Sequence, residues 1–411
     1  MALITAEDLK EECGSEQLSA GIKSGIEGAI HAIESLFEED ENECLLLVDA
    51  SNAFNAMSRP LALWNARIYW PRCARFLFNT YRGFPVMIFR QSKAIILSQE
   101  GTTQGDPLGM LMYAVGTLPL IRRLKSDQYT QNWYADDSAC CGKLRHAREW
   151  FDLLRQHGPK WGYFPEPEKS FLVVKPGLKE EAKAIFQDLN AGIVRAKRFL
   201  GGMIGPASDK KSYVKEKVEK WVGYVKKFTL AAKKSPQAAH AAFTKSLQCE
   251  WAFVQRAIQG CEEEYLPLRD AIRSQFMPAL MGQEIHEDEY SLLELPARLG
   301  GLAIQNPVDT QAPNFQTSKR AVELLAQSII SGAPLDYAEH WEHATQVIVE
   351  ERKRRSELEC QRSKEIIDSL QPNRKRVLQR IVDASASQWL TVLPKSADSF
   401  DLSVTQFQDA L

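Results

Sequence analysis

The sequence predicts an α+β fold: an antiparallel sheet with helices over roughly the first half, then a long helical region. Three observations predict it. Up to about residue 205, short apolar runs of strand length alternate with stretches of helical periodicity. Several of these runs face each other across polar, acidic or glycine-containing turns, as hairpins do. From about Lys210 the apolar spacing becomes that of amphipathic helices and stays so.

In chain order, residues 24–38 read as an amphipathic helix, with Ser24 as N-cap, Glu27 completing a capping box, and Ile26, Ile30, Ile33 and Phe37 on one face. Leu45-Leu46-Leu47-Val48 is a wholly apolar strand that delivers Asp49 at its end. The polar turn that follows, residues 50–55, reads equally as a helix N-cap cluster. A helical region covers about residues 60–82, and residues 86–98 form a hairpin around Arg90-Gln91-Ser92-Lys93. Residues 100–108 are a glycine-containing polar loop opening an apolar helix to about Leu124, with Asp106 as cap and Pro107 in the first turn. The free amides there suit a phosphate or sugar, or belong to a well-capped core helix.

Trp133-Tyr134-Ala135-Asp136-Asp137-Ser138-Ala139-Cys140 reads as a hairpin with an acidic tip, residues 131–134 entering and 138–141 leaving. Adjacent strand residues point to opposite faces, so the two carboxylates converge only where the backbone bends. A solvated tip is the plain alternative, because Asp pairs form turns readily. A helix over residues 145–157 follows, then an aromatic and proline-rich loop to Pro167, and Lys169 introduces a strand over residues 170–174. After a helix at about 178–189, residues 197–205 form a tight hairpin around a Phe-Leu-Gly-Gly turn. Beyond it, Val214, Val218, Val222, Val225 and Phe228 line one helix face, while Lys215, Lys220, Lys226 and Lys227 lie largely elsewhere. Those lysines are a solvated face or track a phosphate backbone. Helices continue over residues 261–345, interrupted at 295–302, and a charged helix covers 350–383.

The net charge of −2 hides an asymmetry: residues 1–48 carry 2 Lys and Arg against 12 Asp and Glu, residues 49–260 carry 33 against 17, and residues 261–411 carry 16 against 24. A basic middle is the footprint of a segment that handles a polyanion, or scattered cations on solvated helices. No apolar run approaches the ~20 residues of a membrane helix, and the N-terminus lacks signal-peptide order. Eight cysteines without a Cys-x-x-Cys spacing point to reduced thiols and a cytoplasmic or nuclear setting. Asp49 and Asp136 are 87 residues apart, each at the end of an apolar strand, with Asp137 adjacent to the second. Three carboxylates brought together repel unless they share cations, and two Mg²⁺ ions about 4 Å apart, or Mn²⁺ in their place, resolve this in phosphoryl transfer.

The ordered series Asp49-x-x-x-x-Phe54, Gln104-Gly105-Asp106-Pro107-Leu108, Tyr134-Ala135-Asp136-Asp137, Lys169 and Phe199-Leu200-Gly201 resembles five successive motifs of reverse transcriptases, most similar to those of eukaryotic non-LTR retroelements. Residues 17–31, from Gln17 to His31, resemble the segment that precedes the first motif. The resemblance implies a right-hand polymerase: residual fingers over 1–48, palm over 49–205, helical thumb over 206–260, helical extension over 261–384 and a truncated tail over 385–411. It implies that Asp49, Asp136, Asp137 and the Ala50 carbonyl hold the metal ions. Phe54 would be the gate against a 2′-hydroxyl, Gln104, Gly105 and Tyr134 would meet nucleotide and template, Lys169 would protonate pyrophosphate, and Phe199, Leu200 and Gly201 would grip the primer. RNA template, DNA primer and dNTPs are the implied partners. No endonuclease or integrase segment is evident, and the fingers motifs expected before Asp49 are missing, as in a fragment of a larger element. A catalytically impaired, nucleic-acid-binding descendant is the alternative.

Overall fold

The computed structural model describes residues 2–88, 94–103 and 105–411. It divides into two compact units, one of Met1–Pro206 with Lys319–Gln346 and the other of Ala207–Ser318 with Val347–Leu411.

The first unit is α+β. Its helices α1 (Ala2–Cys13) and α2 (Gly25–Glu38) precede strand β1 (Cys44–Ala50), followed by α3 (Ala53–Ala56), α4 (Arg59–Tyr69) and α5 (Pro71–Tyr81). Hairpin strands β2 (Val86–Ile88) and β3 (Ile95–Leu97) lead to α6 (Gly109–Arg123), β4 (Tyr129–Tyr134), β5 (Asp137–Gly142) and α7 (Leu144–His157). Then come β6 (Pro165–Val174), α8 (Lys179–Ile185), β7 (Gly192–Val194), β8 (Lys197–Phe199) and β9 (Gly202–Ile204). One sheet has the order β4-β5-β1-β6-β7, with β2-β3 and β8-β9 as separate two-stranded ribbons.

β1 is apolar from Cys44 to Val48 because it is the central strand, flanked by β5 and β6 and buried. Its ladder to β5 is regular, pairing Leu46 with Cys140 and Val48 with Ser138. α7 lays Leu144, Ala147, Trp150, Phe151 and Leu154 along one buried stripe, and Trp150 meets Trp133 of β4 edge to face at 6.2 Å.

Several expectations need correction. The sheet is mixed, since β7 pairs parallel to β6. Ser24 starts α2 but sits at φ 53 and makes no capping bond, whereas a capping side chain requires an extended backbone. Asp49 lies within β1, whose last residue is Ala50. The helical region 60–82 breaks at Trp70, because Pro71 disfavours helical geometry in the residue before it. The charged helix 350–383 is two helices, Tyr337–Ser369 and Pro372–Asp383, with Gln371 extended before Pro372 for the same reason. The strand introduced by Lys169 begins at Pro165, and the helix after it stops at Ile185. The turn of the β2-β3 hairpin, Phe89 to Lys93, and Gln104 lie outside the described residues.

The second unit is helical. Its longest wholly internal helix, α9 (Ala207–Ala232), buries Val214, Val218, Trp221 and Val225. Phe243 stacks on Phe276 at 4.3 Å, and Trp221 meets Trp251 at 6.2 Å, forming an aromatic core. Among the described residues no helix is long and apolar enough to cross a membrane.

Candidate active site at an acidic hairpin

β4 and β5 pair up to Tyr134 and Asp137, leaving Ala135 and Asp136 as a two-residue turn. Ala135 is buried and adopts φ 55, an uncommon conformation for a side-chain-bearing residue. This supplies the bend that the adjacent carboxylates need. Gln17 accepts from the Ala135 N–H at 2.9 Å and donates to the Ala135 carbonyl at 3.1 Å. On the other side the Tyr163 hydroxyl donates to the Asp136 carbonyl at 2.9 Å and lies 2.8 Å from the Ser138 hydroxyl.

The β1-β5 register brings Asp49 to this turn: one residue beyond the Val48–Ser138 pair lie Asp49 on one strand and Asp137 on the other. Loss of water, then the charges of Asp136 and Asp49, push the Asp137 carboxyl up to about 6, against a smaller opposing pull from Arg198. Asp137 keeps an open face to solvent while protein crowds its other sides. Asp136 is raised too, by burial foremost and by the Asp49 charge. Among the described residues no three His, Cys, Asp or Glu side chains already converge as a metal cage. The aspartates are close enough to feel one another, and three hard oxygen donors held at the cost of mutual repulsion are a donor set suited to Mg²⁺ or Mn²⁺. Ala50, the next residue of β1, is buried opposite Pro165.

Lys169 belongs to the same locality. Between the pairs Leu47–Phe171 and Asp49–Glu166, β1 advances two residues while β6 advances five, so Lys169 sits on an excursion of β6. It is exposed, pairs with Glu166 at 2.5 Å, and is kept protonated by that hydrogen bond first and by the charges of Glu166 and Asp49. Phe54, on α3, stacks on Tyr113 of α6 with ring centroids 4.4 Å apart. Tyr113 is buried, and its phenol is pushed well up by burial and by the charges of Asp136 and Asp137 among others. One ring thus links Phe54 to the acidic turn.

The loop at residues 98–106 is tied to the segment after β1. Thr102 N–H donates to the Phe54 carbonyl at 2.8 Å and Gly101 N–H to the Met57 carbonyl at 2.8 Å. Gly101 has φ +70, and a Cβ there would lie 2.3 Å from the Phe54 carbonyl oxygen, so only glycine fits. Arg59, 2% exposed, donates to the carbonyls of Gly101, Ser98 and Glu100 and to the Ser98 hydroxyl. Asp106 does not cap α6, whose N-cap is Leu108 without a side-chain bond; two residues earlier it accepts from Leu108 N–H at 2.8 Å, as in an Asx turn, and from the Tyr81 hydroxyl, and Pro107 lies in that turn before the helix. Gly105, at φ +88, is exposed beside it.

Tyr134 is half-buried at the end of β4, opposite Asp137. Phe199 is buried at the end of β8, and Leu200 and Gly201, at φ 46 and 93, make the paired left-handed turn that closes a two-residue hairpin. The neighbouring Arg198 acts on Asp137, so this ribbon borders the acidic turn. The aspartates, Lys169, Phe54 and the β8-β9 ribbon therefore share one region of the first unit. Arg59, Tyr113, Tyr163 and Arg198 are site residues that the sequence did not single out. Gln17 stood out only as part of a segment, without a role.

Scanned against models of known protein families the chain matches none, and no curated protein matches it either.

Proposed function

We propose that the chain is a right-hand polymerase of the reverse transcriptase type, adding dNTPs to a DNA primer on an RNA template in retroelement replication. The observation that carries the reading is the approach of Asp49 to Asp136 and Asp137 across the β1-β5 ladder, with Lys169 and the Phe54 ring bordering them. The ordered motifs of the sequence add to it. The five-stranded sheet would be the palm and α9 the first helix of a thumb, its lysines meeting phosphates.

In this reading Asp49, Asp136, Asp137 and the Ala50 carbonyl would hold two Mg²⁺ ions, which when bound supply Lewis-acid stabilisation of charge on the triphosphate. The primer 3′-hydroxyl loses its proton to solvent and attacks the α-phosphate, the bond from the α-phosphorus to the bridging oxygen breaks, and pyrophosphate leaves. Lys169, kept protonated by Glu166, gives its ammonium proton to that leaving group. Phe54, backed by Tyr113, presents a ring that cannot retreat, which excludes a ribose 2′-hydroxyl. Tyr134, Gly105 and Gln104 meet nucleotide and template, and Phe199 to Gly201 support the primer end.

Primer extension on an RNA template with dNTPs tests the reading. Activity is expected to fall by at least roughly 10³-fold in Asp136→Ala and Asp137→Ala, the scale of removing a central electrostatic group. Undiminished extension by either variant would sink the mechanism.

A second reading is nucleic-acid binding without polymerisation. It is favoured by the N-terminal segment, where the two cations are engaged: Lys10 with Glu7 at 2.7 Å, and Lys23 with Thr345. Steeply salt-dependent RNA binding with no extension under any template would select it.

A further inference from the structure

We infer that Gln17 is a positioning residue for the acidic turn, its side-chain amide holding Ala135 in the left-handed conformation that aims Asp136. The inference rests on the reading of Asp136 as a cation ligand.

A two-residue hairpin turn leaves its first residue without a cross-strand partner, and a buried N–H and C=O must then be satisfied elsewhere. Ala135 is buried, and it lacks the glycine freedom that makes φ 55 cheap. Gln17 meets both needs at once. Its Oε1 accepts from the Ala135 N–H at 2.9 Å and its Nε2 donates to the Ala135 carbonyl at 3.1 Å, the donor-acceptor pattern of a neighbouring strand carried by one side chain. Gln17 is 0% exposed, and its remaining capacity is also used. Nε2 donates to Thr117 Oγ1 of α6 at 3.2 Å, and Oε1 accepts from the Ser19 hydroxyl at 3.0 Å. The amide is therefore locked in one orientation. It joins the turn to α6, the helix that carries Tyr113 beneath Phe54. Few other side chains have this geometry. Asn is too short, and Glu retains the shape but, when ionised, offers no hydrogen to the Ala135 carbonyl.

Mn²⁺ binding, followed by electron paramagnetic resonance of the free ion in the absence of nucleotide, separates positioning from mere stabilisation. Wild type is expected to bind Mn²⁺ in a manner that Asp136→Ala abolishes. Gln17→Ala and Gln17→Glu, measured where circular dichroism shows each to be folded, are expected to weaken binding by roughly tenfold or more, the usual effect of removing an outer-sphere partner. If Gln17→Ala does not fold, the shape-preserving Gln17→Glu decides. Folded variants that bind Mn²⁺ within about twofold of wild type would overturn the positioning role, since tenfold is the least effect expected of an outer-sphere partner. Absence of Asp136-dependent binding in wild type itself would overturn the reading of the aspartates as ligands, and the inference with it. The two failures are told apart by which protein shows them.

Discussion

Replacing Arg59 is the sharpest test of how the region beside Phe54 is built. Its guanidinium reaches the Gly101 carbonyl at 3.0 Å, the Ser98 and Glu100 carbonyls at 2.7 Å each, and the Ser98 hydroxyl at 2.9 Å, while the side chain is 2% exposed. Each hydrogen bond from a charged donor contributes about 1.5 to 3 kcal/mol. Bonds made by one side chain are not additive, and the loss of a whole buried network is expected at about 3 to 5 kcal/mol. Arg59→Met, similar in bulk but without donors, should lose that much in urea denaturation. Arg59→Lys has three donors on one nitrogen and cannot reproduce the planar fork, so it should lose about 2 kcal/mol. The loss should also be local. The amides of Gly101 and Thr102, which donate to Met57 and Phe54, are expected to lose protection from hydrogen exchange ahead of the β1-β5 ladder. A lysine variant as stable as wild type, or a destabilised methionine variant with unchanged exchange at Gly101 and Thr102, would refute the reasoning.

Asp137→Asn should stabilise the protein at neutral pH and do nothing in acid. Because the folded carboxyl is raised from 3.8 to about 6, the native state binds more protons than the unfolded chain between those values, and ionisation above them opposes folding. The shift corresponds to about 3 kcal/mol at face value; water at the open face of Asp137 reduces this to about 1 kcal/mol. Denaturation midpoints at about pH 7.5 and about pH 3.5, bracketing the two ionisations, check it, and an equal gain at both would contradict the assignment. Phe54→Ala should relax sugar selection, narrowing the dNTP-to-NTP ratio of kcat/KM by roughly tenfold in single-nucleotide incorporation. An unchanged ratio would remove Phe54 from the sugar site.

The legible parts of the fold were those with short-range signals. The apolar run at 45–48, the acidic hairpin and the helix at 145–157 each carry a local signal, and each forms where expected. Helix ends were less legible, because Trp70 and Gln371 break helices through the prolines that follow them while the apolar pattern runs on. The adjacency of Asp49 and Asp137 depends on strand pairing across nearly ninety residues. No local pattern encodes such pairing; the strand-end placement of the aspartates and the resemblance to a motif series suggest it. Arg59 and Tyr163 are silent in the sequence, and Gln17 shows there only as part of a segment, for a related reason. A single polar residue carries no period, and what it does is decided by which backbone group arrives beside it.

The excursion of β6 has a mechanical consequence. Toward β5, β1 is a continuous ladder as far as Val48–Ser138, one residue short of Asp49 and Asp137. Toward β6 three surplus residues are taken up before pairing resumes at Glu166, and Lys169 rides on that slack. The carboxylates thus lie where a regular ladder ends, while the ammonium lies on the irregular side of β1. Its tether could be shortened or lengthened by two residues, preserving the alternation of faces, and the Lys169 ammonium would be withdrawn or advanced with the β1-β5 ladder left in place.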